Sequence, residues 1–303
     1  MEKSVKKPRI GYMCSYFPYV LIRNLGFETA FLGDQVQKTD EKRSGLPINL
    51  CGYVRYCQTI ISTADFDGII LTNCCNAAQR LYDIIKTEYP DMFCYMLELP
   101  RGNTKEELDF YYRSVQMMLV EMYRFYRIPN ILGDIHSYLR TPVQEEIAFD
   151  DKTILVFGSA VHPAVRERFR EHFKQYKLII ELCSTRASGD VLIQIYNRPI
   201  ERNNDTGLEL FLYETRPCPR MSYFSEWFKS LISENHSAVN GVIYISSQRC
   251  DNFLFAFPYM KVICDKYRVP ILNIEEEYGT TSAGQHSIRL EAFKECLEYA
   301  ENR

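Results

Sequence analysis

Short apolar runs that stop abruptly and give way to helical spacing constrain this chain more than any other feature. One is Asp67-Gly68-Ile69-Ile70-Leu71-Thr72-Asn73-Cys74-Cys75, followed by Asn76-Ala77-Ala78-Gln79-Arg80-Leu81-Tyr82 with helical spacing. Another, Gly241-Val242-Ile243-Tyr244-Ile245-Ser246-Ser247, delivers Arg249-Cys250-Asp251 just past its end. Continuous apolar runs of this length mark strands buried on both faces, as in parallel sheets covered by helices. Open parallel sheets place their ligand sites beyond the carboxyl ends of the strands, and helix N-termini favour thiolate over thiol. Two strand-end cysteines in two halves of one chain imply a metal or cluster held between those halves.

The rest of the chain repeats the pattern. Strand signals near 9–14, 27–32, 68–72 and 92–97 alternate with helical ones, the last a long amphipathic stretch from Thr104 to Tyr126 with Glu106 and Glu107 in its first turn. That sign of charge suits the helix dipole. Residues 128–150, with Pro129, Gly133 and Pro142, read as a connection. The alternation then restarts, with strands near 152–159, 178–182, 241–246 and 270–274, while the polar stretch 184–222 reads as a functional loop or lid. The expectation is an α/β protein of two doubly wound, Rossmann-like parallel-sheet domains, 1–150 and 151–303.

Composition removes several function classes. A net charge of -3 gives no basic face for nucleic acid. Eleven cysteines are an odd count at irregular spacing, which argues against a disulfide-stapled scaffold. Lys3, Lys6, Lys7 and Arg9 precede an apolar stretch, but Pro18 interrupts it and no small-residue cleavage site follows. No stretch approaches membrane-spanning length. The expectation is a cytoplasmic protein with reduced thiols. The abundance of Tyr (22) and Phe (18) suits large apolar contacts in a core or a subunit interface.

Familiar nucleotide and hydrolase signatures are missing: there is no GxGxxG after the first strand, no GxxxxGK[ST] and no GxSxG. Gly158-Ser159, at a strand end, reads as a phosphate contact or simply a tight turn. The five histidines form no HExxH pattern and read mostly as surface residues. Glu275-Glu276-Glu277-Tyr278 reads as an acid–base group or as a solvated helix entry. Arg186, Arg220 and Arg289 suit either coenzyme A phosphates or internal ion pairs. Cys94, Cys264 and Cys296 read as buried small hydrophobes. Three other cysteines stand at the entrances of helical patterns: Cys51, Cys75 and Cys250. Thiolate sulfur suits iron–sulfur clusters, and three ligands rather than four leave one iron open to substrate. The alternative for each is a buried structural thiol.

A set of short motifs runs in order along the chain: Gly11–Pro18, Leu50–Arg55, Asp67–Ile70, Asn73–Ala77, Arg80–Asp83 and Leu99–Arg101, then Glu181–Arg186, Pro217–Arg220, Arg249–Asp251 and Gly284–Phe293. This set resembles the 2-hydroxyacyl-CoA dehydratase family, which also includes benzoyl-CoA reductase subunits and double-cubane cluster proteins. The resemblance implies two flavodoxin-like domains with a [4Fe-4S] cluster between them, bound through Cys51, Cys75 and Cys250. It implies a dimer with an identical or homologous subunit, and an ATP-hydrolysing iron–sulfur activator that injects one low-potential electron. The acyl-CoA thioester then becomes a ketyl radical, expels its hydroxyl group and returns the electron.

Three departures qualify what the resemblance implies. Many members carry a Glu soon after the proline of the opening motif, whereas Tyr19-Val20-Leu21 follow Pro18 here. That removes an acid–base candidate and points toward an electron-relay subunit or a reductase acting on another substrate. The chain is short for the family. Cys74 occupies a position usually held by a small residue, and it joins Cys14, Cys57, Cys183 and Cys218 as thiols that either help hold a larger, double-cubane cluster or are simply buried.

Overall fold

The computed structural model describes residues 7–35, 45–127, 152–185, 218–247, 249–276, 278 and 283–301. Two four-stranded sheets organise them, every strand pair parallel. The first contains β1 (Arg9–Tyr12), β2 (Glu28–Phe31), β3 (Gly68–Thr72) and β4 (Phe93–Leu97) in the order β2-β1-β3-β4. The second contains β5 (Thr153–Gly158), β6 (Lys177–Leu182), β7 (Val239–Ser246) and β8 (Ile271–Glu275) in the order β6-β5-β7-β8. The expected α/β class with two flavodoxin-like sheets is therefore observed. The connection at 128–150, Arg186, and most of the loop at 184–222 lie outside the described residues.

Helices follow the strands as the periodicity predicts: α1 (Tyr19–Asn24), α2 (Gly52–Thr63), α3 (Asn76–Glu88) and α4 (Lys105–Tyr126), then α5 (Pro163–His172), α6 (Phe224–Asn235), α7 (Asp251–Lys266) and α8 (Ala283–Glu301). The start of α4 is dictated locally. The Thr104 hydroxyl accepts the Glu107 N–H at 3.4 Å while the Glu107 carboxylate accepts the Thr104 N–H at 3.2 Å. This reciprocal box satisfies two N–H groups that a helix N-terminus otherwise leaves unpaired.

The chain divides into two compact units, one built on each sheet, and the short piece Cys51–Tyr53 clusters with the second. In that second unit the pleat sorts the core. Leu155, Phe157, Val242 and Tyr244 pack on one face with Phe224, Trp227, Phe228 and Phe253. Ile154, Val156, Ile243 and Ile245 pack on the other with Phe169, Phe173, Leu290 and Phe293. Alternate strand residues point to opposite faces, so a run apolar at every position needs a helical layer on both sides. In the first unit all five residues of β3 are buried for the same reason.

In each sheet the central strand comes first in the chain, the next strand lies to one side, and the third returns to the other side. The order reverses between β1 and β3, and between β5 and β7. Loops leaving the carboxyl ends of such a pair diverge and open a crevice, the usual ligand position in doubly wound sheets.

Candidate functional site

In the first unit three thiols collect at this reversal point. β1 and β3 are in register, Tyr12 opposite Ile70. The loop carrying Cys14 therefore leaves the sheet beside the loop carrying Cys74 and Cys75. The Cys14 and Cys74 side chains lie close enough to perturb one another, and so do those of Cys74 and Cys75. The bond to Cys74, burial and the charge of Cys74 push the Cys14 thiol pKa well up. For Cys74 the bond from Cys14 acts downward, but the bond to Cys75, burial and the charge of Cys75 outweigh it and leave the thiol well above its ordinary range.

Two anchors hold the loops. Asn73 donates its N–H to the Leu97 carbonyl at 3.2 Å and accepts the Leu99 N–H through Oδ1 at 2.9 Å. The Tyr111 hydroxyl, on α4, donates to the Tyr16 carbonyl at 2.6 Å. Cys75 occupies the N-cap position of α3 in extended conformation (φ -158°, ψ 164°), and its side chain makes no capping bond.

The second unit repeats the placement. Cys250 is the N-cap residue of α7, again with no capping bond from its side chain. Its carbonyl accepts the Leu254 N–H at 2.9 Å, and its N–H donates to Ser247 at 3.0 Å. Burial, followed by the charge of Cys51, pushes the Cys250 thiol from 9.0 up to about 12, with Cys218 adding to it. Cys51, half-buried ahead of α2, and Cys218 thus lie within electrostatic reach of Cys250. Cys183, Cys218 and Cys250 all pack against the aromatic face around Phe157 and Tyr244. Cys57 is buried within α2.

Across the reversal point, β5 ends in Gly158 at φ 144°. A side chain there would strike the Ile245 carbonyl, so this glycine serves close strand approach as well as backbone freedom. The next residue, Ser159, donates its N–H to the Ile245 carbonyl at 2.9 Å. The tight-turn reading of Gly158-Ser159 thus has a structural basis.

Several sequence expectations need correction. His286 is buried, not a surface residue, and its Nδ1 lies 2.7 Å from the Glu276 carboxylate. Glu276 is likewise buried at the end of β8 rather than solvated. The His286 Nε2 faces the Glu275 carbonyl at 3.2 Å. A carbonyl only accepts, so Nε2 carries a proton, and Nδ1 faces the Glu276 carboxylate. Burial first, then Arg168 and Arg289, hold the His286 pKa down. Cys296 is exposed rather than buried. The inward stripe of α8 is His286, Leu290, Phe293 and Leu297, and Cys296 falls beside it. Cys264 is buried as expected and Cys94 half-buried, burial raising both thiols to about 12. Arg289 donates to the Asn273 carbonyl at 2.7 Å, and Arg220 contacts the Met221 sulfur at 3.8 Å.

The model of the 2-hydroxyglutaryl-CoA dehydratase D-component family matches residues 14–129 and 132–297, nearly the whole chain. The chain belongs to this family. No curated protein matches it. Members of the dehydratase D-component family are components of 2-hydroxyacyl-CoA dehydratase-type enzymes, and the family is known for iron–sulfur clusters. Among the described residues, no three His, Cys, Asp or Glu side chains converge as a single-ion site. A cluster asks for something different, because each thiolate binds its own iron and the ligands need not meet at one point. None of the eleven cysteines is in a disulfide, and the strand-end set is all sulfur, so the donor chemistry fits. Among the described residues no helix is long and apolar enough to cross a membrane.

Proposed function

We propose that the chain is the iron–sulfur subunit of a radical (R)-2-hydroxyacyl-CoA dehydratase-type lyase, working in the cytoplasm. Its [4Fe-4S] cluster is bound by Cys51, Cys75 and Cys250. The observation that carries this reading is positional equivalence. Cys75 and Cys250 are both N-cap residues of the helix after the third strand of their sheet, and neither sulfur is used for capping. A thiol so placed sits at the positive end of a helix dipole, at the sheet edge where doubly wound folds hold ligands. Cys51 is within reach of Cys250 and supplies the third donor.

When bound, the cluster supplies a low-potential one-electron couple and, with three protein ligands, one open iron position. The chain's own residues do the rest. Cys250 stays protonated until metal arrives, because burial disfavours its thiolate. Glu276 and His286 face one another, buried, at the carboxyl edge of the second sheet. The partners in this reading are an identical or homologous subunit, an ATP-dependent iron–sulfur activator and an acyl-CoA substrate. Phe255, Tyr259 and Val262, exposed at helical spacing on α7, support a subunit contact.

A second reading has an observation of its own. The first turn of α1, directly after Pro18, holds no acidic residue, and Tyr19 there stacks on Tyr12 with ring centroids 6.0 Å apart. This favours a double-cubane-type or benzoyl-CoA-reductase-like reductase, or a non-catalytic electron-relay subunit. Protein loaded anaerobically with iron and sulfide, mixed with reduced activator and ATP, separates the two. Dehydration of a 2-hydroxyacyl-CoA, abolished by Cys75→Ala, supports the lyase. Reduction of small substrates without thioester turnover, whatever partner is present, supports the reductase, and neither turnover in a loaded protein supports the relay.

A further inference from the structure

We propose that the exposed face of α7 is a two-fold interface with a second copy of this chain, the two α7 helices lying antiparallel across it. The inference rests on the subunit contact in the reading above and names its occupant. Along α7 the exposed side reads Asp251, Phe255, Pro258, Tyr259, Val262 and Lys266, while Phe253, Met260, Ile263 and Cys264 turn inward. An acidic residue stands at one end, a basic residue at the other, and an apolar row lies between them. A helix already packed on its own sheet needs only one apolar stripe, and this row is a second one.

The order of the row identifies the partner. Asp251 with Lys266, Phe255 with Val262, and Pro258 with Tyr259 are three pairs that share one centre, between Pro258 and Tyr259. Reversed, the row therefore matches itself. That is what an isologous contact requires, where one residue meets a second on the other copy and the second meets the first. In an antiparallel pair each Phe255 lies against Val262 of the second copy, and each Asp251 against its Lys266. Within one helix Asp251 and Lys266 are fifteen residues, about 22 Å, apart and cannot pair. Lys261 is already paired with Asp265 at 2.6 Å, whereas among the described residues neither Asp251 nor Lys266 has an ion-pair partner.

Both charges also suit the dipole of their own helix. That dipole does not explain the apolar row between them, centred on the same point. Two features of the centre favour close approach. Pro258 is exposed and carries a short ring in place of a long side chain. The Tyr259 hydroxyl donates to the Ser225 carbonyl at 3.2 Å, which fixes the half-exposed ring before any partner arrives.

The test uses the full chain loaded anaerobically with iron and sulfide, as wild type, Asp251→Lys and Lys266→Asp. Light scattering across a dilution series gives the dimer Kd, and iron per chain is read on the same samples. Wild type is expected at twice the 35.6 kDa of one chain. In each variant both 251–266 pairs become like-charged, which raises Kd roughly tenfold at low salt. In a 1:1 mixture of the two variants every 251–266 pair is again of opposite charge, and Kd returns toward the wild-type value. A wild-type monomer at tens of micromolar overturns the proposal, and so do variants that keep the wild-type Kd or a mixture no tighter than its components. Should either variant not fold, Pro258→Lys decides, because lysine suits a helix better than proline and sets two cations together near the axis. A raised Kd there supports the contact, and an unchanged one overturns it. Loss of the cluster reading is recognised separately by absent iron, whereas an iron-loaded monomer overturns the self-pairing alone.

Discussion

Tyr111 and Tyr16 are 95 positions apart in the chain, yet the hydroxyl of one donates to the carbonyl of the other in a buried setting. The bond ties α4 to the loop that carries Cys14. Tyr111→Phe leaves that carbonyl without its donor, and an unsatisfied buried acceptor costs about 1–3 kcal/mol. Urea unfolding of the metal-free protein should show a loss of that size with an unchanged m-value. A loss under 0.5 kcal/mol, roughly the level of an exposed hydrogen bond, would mean the loop is held by other contacts.

Gly158 is the second sensitive point. Its φ of 144° and the Ile245 carbonyl leave no room for a β-carbon. Gly158→Ala should destabilise the second unit by more than about 1–3 kcal/mol, the usual strain for such a backbone, because a steric clash adds to it. Thermal melts of the metal-free protein give the check, and a melting temperature equal to wild type would show that β5 and β7 can part.

Metal uptake should be proton-linked. Cys250 is raised to about 12 and must lose its proton to bind iron. Apparent affinity for iron therefore rises with pH, by roughly tenfold per unit for each proton released. The metal-free fold behaves in the opposite sense. Buried thiols at Cys94, Cys250 and Cys264 ionise more readily when unfolded, so their stabilising contribution is full below 9.0 and is lost as pH rises toward about 12. Iron titrations in weakly buffered solution, read with a pH indicator, should detect the release. Uptake without proton release would show that the thiolates already exist in the apo-protein.

The Glu276–His286 pair makes a contrast between two substitutions. Glu276→Gln offers an N–H to Nδ1 and keeps a neutral hydrogen bond, so stability should change by less than about 1 kcal/mol. Glu276→Leu strips Nδ1 of its partner and should cost about 1–3 kcal/mol. Equal losses in the two variants would assign the pair's contribution to charge rather than to hydrogen bonding.

The exposed row on α7 predicts an effect on assembly. Phe255 is 77% exposed and Val262 66%, a large apolar display for a helix surface. Phe255→Glu with Val262→Lys should leave the melting temperature unchanged and lower the apparent mass in light scattering. An unchanged mass would place the subunit contact elsewhere.

What the sequence could reveal followed distance along the chain. The start of α4 was legible because Thr104 and Glu107 are three residues apart and their box is local. The strands were legible because β3, β5 and β7 are apolar at nearly every position. The equivalence of Cys75 and Cys250 could be read from their strand-then-helix surroundings. The nearness of Cys14 and Cys74 could not, since only the pairing of β1 with β3 brings those loops together. His286 was misread because burial of a histidine depends on which stripe of α8 faces the sheet. Cys296 was misread for the same reason, one position off that stripe.

The two sheets share one strand order but carry different residues where that order reverses: three thiols after β1 and β3, and glycine, serines and a single thiol after β5 and β7. A duplicated scaffold of this kind separates what can mutate from what cannot. The strands are locked by burial on both faces, so heritable novelty is confined to a few loop positions per half. One copy can then gain or lose a sulfur while the other continues unchanged, which lets a lineage change its loop chemistry without passing through an unfolded ancestor.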